Sequence, residues 1–232
     1  MIRTITLFLF VALLFTSTSC LRDRWINDEV VVDELARFLQ KTHGGLATEI
    51  SLQTNYLSGF GFQLPCNETD VTARIHQYSG EQRTANFTYN WIVVQTCVNE
   101  ILANFNWQSS YVGTYGIPSV SGTAEGERNW VVTNLDSSFD EWILNGTAKH
   151  FGTQQSKVRE RQSFESETEF TFTDLMVDKA TGNIVGGQAI SKTEITGGQG
   201  RTRVFDAVIS FNENSIAAIT MNGQVYRKIL SN

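Results

Sequence analysis

TANFTYNWIVVQTC, residues 84–97, is the stretch whose reading decides the fold. Phe87, Tyr89, Trp91 and Val93 recur every second residue, so on an extended strand they share one face. The segment before it, VTARIHQYS (71–79), alternates in the same way, and Gly80–Arg83 joins the two. A symmetric hairpin there sets Gly80 opposite Arg83. Opposed residue numbers in an antiparallel ladder have a constant sum, here 163, and Cys66 with Cys97 meets the same sum. Opposed α-carbons lie about 4.5–5.5 Å apart, within the roughly 4.4–6.8 Å that a disulfide spans. The register therefore predicts a Cys66–Cys97 bridge clamping the aromatic hairpin, structural rather than redox-active.

Downstream, LANFNWQSSYVGTY (102–115), NWVVTNL (129–135), EWILNGTAKH (141–150), KVRER (157–161) and FESETEFTFTDLMV (164–177) read as strands. After the DKATGN turn, with Gly182 at its left-handed position, come IVGGQAISKTEI (184–195), TRVFDAVISF (202–211), SIAAITM (215–221) and QVYRKIL (224–230). Asn222–Gly223 between the last two is a type I′ hairpin signal, because both residues tolerate positive φ. Connections this short exclude parallel crossovers, which need a dozen residues or more. The expected fold class is all-β: a single antiparallel meander of about ten strands behind one N-terminal helix. Open sheets of that size curl or split into two layers, so a sandwich-like or barrel-like form is expected.

The one helix expected is Asn27–His43. Asn27 or Asp28 caps it, Asp28 and Glu29 favour its positive end, and Val31, Leu35, Phe38 and Leu39 form an apolar stripe. Gly44–Gly45 stops it, and His43 in the last turn complements the helix dipole. Everything beyond about residue 47 reads as strand and turn.

The chain's start carries an address. Arg3 gives a positive n-region, and Ile5–Phe15 is an apolar run of signal-peptide length, too short for a membrane span. Thr16, Ser17, Thr18 and Ser19 follow, then Cys20. This resembles a lipoprotein lipobox in its Ser/Thr-rich Bacteroidota form, which implies acylation of the Cys20 thiol. The expected organisation is a signal peptide over 1–19, a lipidated tether over 20–26 and one domain over 27–232. Stable attachment follows from two or three acyl chains, each buried methylene contributing about 0.8 kcal/mol.

NLDSSFDEWILNGTAKHFGTQQSKVRERQSFESETEFTFTDLMVDKATGNIVGGQA (134–189) extends the likeness. It is similar to Bacteroidota envelope lipoproteins of this size, which share a signal ending in Cys, a helix, a cysteine-bearing aromatic hairpin and a long β-meander. The resemblance implies an address and a fold, and no activity.

A net charge of −6, with acids and bases scattered, leaves no electrostatic footprint for nucleic acid. With 41% hydrophobic residues and only Pro65 and Pro118, the chain has material for a core and no Pro-rich linker. Glu165, Glu167 and Glu169 point one way on a strand, and Lys157, Arg159 and Arg161 have the same spacing and opposite sign. A hairpin turning at Gln162–Phe164 pairs them as a solvated ladder, each pair stabilising by roughly 0.2–1 kcal/mol. His43, His76 and His150 have no metal-ligand spacing and no CxxC occurs, so neither metal nor cofactor is expected. No nucleophile motif, P-loop or HExxH is present.

The aromatics remain. Trp91, Trp107, Trp130 and Trp142 fall on successive strands; core packing explains them, or they line a concave sheet and contact a ligand. The reading that results is a lipid-anchored component of the bacterial envelope, at the outer membrane, acting as a noncatalytic binding or structural module. Its rivals are a surface glycan-binding or glycan-processing component, and a carrier of lipid or another apolar ligand. The first needs exposed Trp rows or two close carboxylates in a cleft, the second an apolar cavity inside a curved sheet.

Overall fold

A computed structural model describes residues 26–59, 65–158 and 163–230. Helix α1 (Asp28–Leu39) starts at Asn27, whose side chain accepts a hydrogen bond from Val30 N at 3.1 Å. It ends four residues earlier than its periodicity predicts. Lys41–His43 instead form a 3₁₀ turn, closed by Gly44 at φ +69°. A Cβ on Gly44 would lie 2.2 Å from the Phe87 ring, so glycine is required there for space as well as for φ.

Helix α2 (Leu46–Gly59) then runs where strand and turn were expected, so the described residues hold two α-helices where one was expected. Its sequence, LATEISLQTNYLSG, holds β-branched Thr48, Ile50 and Thr54 and no clean apolar stripe, which hides it from periodicity. Tertiary context explains the pattern. Leu46, Glu49, Ile50, Gln53, Thr54, Tyr56 and Leu57 are all buried, so almost the whole circumference is enclosed.

Ten strands follow: β1 (Thr69–Ser79), β2 (Thr84–Val98), β3 (Ile101–Ile117), β4 (Val120–Thr133), β5 (Glu141–Ser156), β6 (Ser163–Asp178), β7 (Ile184–Gly197), β8 (Thr202–Asn212), β9 (Ile216–Met221) and β10 (Gln224–Ile229). Each pairs antiparallel with the next, giving one meander sheet in sequence order. The sheet stays open, with β1 and β10 as its edges. The second layer is supplied by the helices, not by a second sheet.

The hairpin register is the one the sequence sets. Thr69 opposes Val94 and Ser79 opposes Thr84 without a shift, and Gly80 N donates to Arg83 O at 2.9 Å. Cys66 and Cys97 are bridged, with α-carbons 5.6 Å apart. Asn222 (φ 50°) and Gly223 (φ 78°) form the last turn, and Gly182 sits at φ 68°.

Two strand expectations change. β4 begins at Val120, well before the expected 129; SGTAEGERN lacks the apolar alternation that would mark it as strand. Its inward positions are Ala124 and Arg128 before Trp130 and Val132. Of the segment 157–161, Lys157 and Val158 lie in a bend past β5, and residues 159–161 are outside the described residues. The connection is thus longer than a tight hairpin and the ladder shifts. Glu165 opposes Thr153, Glu167 opposes Phe151 and Glu169 opposes Lys149. Lys149 Nζ meets Glu167 at 2.5 Å and Glu169 at 3.7 Å on the solvated outer face, replacing the Lys157/Arg159/Arg161 pairing.

The inner face packs on the helices. Phe38 of α1 stacks on Phe170 at 4.3 Å, and Tyr56 of α2 stands edge-on to Trp91 and Trp107 at 6.2 and 5.5 Å. Burying each such side chain contributes about 1.5–3 kcal/mol, so the helix pair holds the sheet's shape.

Candidate functional site

The positions with chemistry are polar residues on the apolar parity of the inner face. α1 carries Glu34 into the interior, between Val31 and Phe38, leaving its side chain 3% exposed. Four groups meet its carboxylate there. Arg37 Nε donates to Oε2 at 3.4 Å and Gln154 Nε2 at 3.2 Å. Ser166 Oγ donates to Oε1 at 3.1 Å, and His150 Nε2 stands 3.6 Å from the same oxygen. Burial alone would raise the Glu34 carboxyl; His150, Arg37 and Ser166 outweigh it and hold the group below its ordinary value.

The far side of the imidazole is also engaged, as His150 Nδ1 and Tyr111 Oη share a 2.6 Å hydrogen bond. Burial drives the Tyr111 phenol far above its usual range, so it keeps its proton. Gly152 leaves the space this meeting needs. A Cβ there would lie 2.7 Å from Glu34 Oε1, 2.8 Å from Ser166 Oγ and 3.1 Å from His150 Nε2.

A second buried pair adjoins the first. Arg128 on β4 and Glu49 on α2 form an ion pair with side chains 0% and 1% exposed. Glu49 Oε1 also accepts from Gln53 Nε2 and Trp91 Nε1, both at 3.1 Å. The guanidinium lies over the Tyr111 ring at 4.2 Å and near the Phe38 ring at 5.1 Å. Burial pulls Arg128 down to about 9, still above neutral pH.

These groups surround a cavity of about 20 Å³, the room of a single water. His43 lines its rim, edge-on to Tyr115 at 6.0 Å. Burial, with Arg37 and Arg83 nearby, lowers His43 to about 4 and keeps it neutral at pH 7. Larger depressions, of about 210 and 430 Å³, open at the outer face and at one end of the sheet. Glu, Lys, Asn, Gln and Thr side chains line most of them.

Chemically, the cluster resembles an acid–base constellation with its order wrong for attack. Ser166 donates to the carboxylate and, at 3.4 Å, to Gly152 O. A nucleophile needs its hydroxyl on the base. Among the described residues, no group of three or more His, Cys, Asp and Glu is placed to hold a metal ion.

Of the residues singled out from sequence, Cys66 and Cys97 come together, while Cys20 lies outside the described residues. Trp91, Trp107, Trp130 and Trp142 are 0–3% exposed, so they pack the core and form no open stacking platform. Glu34, Glu49, Arg128 and His150 were missed. Their signal is a charged or polar residue at an inward position: Arg128 shares the parity of Trp130, and His150 that of Trp142 and Leu144.

Compared with protein-family models, with curated proteins and with solved structures, the chain matches none.

Proposed function

We propose that this protein is a bacterial envelope lipoprotein, held at the outer membrane by lipid on Cys20, whose domain is a noncatalytic binding or structural module. The observation that carries the reading is the burial and mutual pairing of the interior polar groups. Glu34 and His150, strong candidates for chemistry, are 3% and 5% exposed and face each other, and Arg128, 1% exposed, is paired with Glu49. The space between them is about 20 Å³, against roughly 300–1,000 Å³ for a ligand pocket. Buried tryptophans and an inner face covered by helix side chains offer little to a glycan or an apolar cargo. Anchoring is supported by the h-region and the Ser/Thr run ending at Cys20.

Expression with a labelled fatty acid tests the anchor: label on the wild type, none on Cys20→Ala, and a mature chain beginning at residue 20 are expected. A mature chain starting elsewhere sinks that half. A screen of esterase, glycosidase and peptidase substrates should stay blank. Turnover that disappears in Glu34→Gln, with folding intact, sinks the other half.

A further inference from the structure

The connections of a meander alternate between its two ends. The turns β1–β2, β3–β4, β5–β6, β7–β8 and β9–β10 share one end, and the other four share the opposite one. Charge is divided between these ends. Among the described residues, the first set of turns and the strand residues flanking them carry Arg83, Lys157 and Arg201 against Glu81, a balance of +2. Arg203 and Glu165, the next charges inward, cancel. The second set, taken in the same way, carries Glu100, Asp136, Asp140, Glu141, Asp178 and Glu213 against Lys179, a balance of −5. At the basic end Arg83, Lys157 and Arg201 are exposed, and Val158 beside Lys157 is 73% exposed. Lys157 Nζ donates to Ile117 O at 3.0 Å, a neutral acceptor that leaves its charge in place.

The chain also enters the domain at the basic end. Asn222 Nδ2, in the β9–β10 turn, donates to Asp28 Oδ2 at 3.0 Å, and Arg203 Nη1, at the start of β8, donates to Ile26 O. Cys20 precedes Ile26 by six residues. An extended chain spans at most about 3.6 Å per residue, so lipid on Cys20 holds this end within about 20 Å of a bilayer. The interval Leu21–Arg24 adds Arg22 and Arg24 against Asp23.

We propose that the basic end docks on an anionic bilayer surface, its turns against the lipid phosphates and the acidic end pointing away. This orientation rests on the lipid at Cys20 proposed above. Lipid phosphates attract each nearby Lys or Arg and repel each carboxylate, and the effect decays within a Debye length, about 8 Å at physiological salt. Strands β3–β6 have 14–17 residues, each rising about 3.3 Å. With the basic turns in contact, the acidic turns therefore stand well outside that range. The opposite orientation would press the acidic turns on the phosphates, and the short tether opposes it. Val158 enters the headgroup layer instead of facing water.

The test uses the full-length chain, matured in a bacterial host and placed in vesicles of phosphatidylcholine with or without phosphatidylglycerol. Both vesicles carry a trace of lipid with a nitroxide headgroup. With Cys20 acylated and Cys66–Cys97 bridged, a cysteine at exposed Ser119 or Ser137 gives one labelling site, at the basic or the acidic end. A fluorophore on Ser119→Cys should be quenched strongly on the anionic vesicles and weakly on the zwitterionic ones. On Ser137→Cys it should be quenched on neither. Adding Arg83→Glu and Lys157→Glu should cut the Ser119 quenching at least about fivefold with the melting curve unchanged, since both side chains are exposed. Raising salt should weaken it in the unsubstituted protein. Flotation with phosphatidylcholine vesicles reports the anchor separately. Floating protein whose two labels are quenched alike overturns the docking and leaves the anchor standing. So does a Ser119 signal indifferent to anionic lipid, salt and charge reversal. Failure to float with either vesicle overturns the anchor, and the docking with it.

Discussion

Arg128→Met offers the sharpest test of what holds α2 against the sheet. The substitution keeps an unbranched apolar stem between Phe38 and Tyr111 and removes the charge opposite Glu49, whose side chain is 1% exposed. Glu49 would retain two neutral donors, Gln53 Nε2 and Trp91 Nε1. Breaking a buried pair from one side costs about 3–5 kcal/mol, because the remaining charge is left uncompensated. For a domain of this size each kcal/mol shifts Tm by about 2–4 °C, so a fall of about 6–20 °C is expected. Glu49 is then left as a buried charge without a cationic partner. Adding Glu49→Gln removes the stranded charge while keeping a carbonyl acceptor for Trp91. The double variant should therefore recover at least about 2 kcal/mol as a coupling energy. Urea titrations of wild type, both singles and the double provide the measurement. An Arg128→Met protein within about 1 kcal/mol of wild type, or strictly additive singles, would refute the reasoning.

Other expectations follow from the same geometry. Gly152→Ala should destabilise by about 1–3 kcal/mol through overpacking, because its Cβ would press on Glu34, Ser166 and His150; faster amide exchange along α1 would reveal the loosened helix. Lowering pH should weaken the fold in two stages. His43 is depressed from 6.5 to about 4, so the unfolded chain binds its proton first and stability falls as pH drops below 6.5. Glu34 is held below its ordinary 4.5, so its contribution is complete above that value and disappears as pH falls through the lower folded one. Urea midpoints between pH 7 and 3 should decline throughout, with His43→Gln flattening the upper part. Reducing the Cys66–Cys97 bridge, or replacing both residues by Ser, should cost about 3–4 kcal/mol by the chain-entropy relation for a separation of 31. Equal melting curves with and without reductant would contradict that.

The parts of this fold legible in the sequence are those set by neighbours in the chain. Alternation has a period of two whatever surrounds it, so the aromatic face of β2, the Asn222–Gly223 turn and the order of the strands can all be read locally. The disulfide was legible for the same reason, since one tight turn fixes every pairing along its hairpin. Where the turn is not tight, as between β5 and β6, the same arithmetic chose the wrong partners. Register there is set by packing and not by loop length.

α2 illustrates the opposite case. Its residues favour a helix weakly, and its lack of an apolar stripe makes sense only once packing buries most of its circumference. Arg128 and His150 interrupt the apolar parity of β4 and β5, which marks them as unusual without naming what they meet. Their partners, Glu49 and Glu34, sit on helices far away in sequence. Such charges are tolerable inside only at hydrogen-bonding distance from one another, where their mutual attraction offsets lost hydration. Alternation along each strand therefore determined the meander and its bridged hairpin. The packing of two helices on its inner face decided which buried charges pair, because that distance belongs to the packed whole.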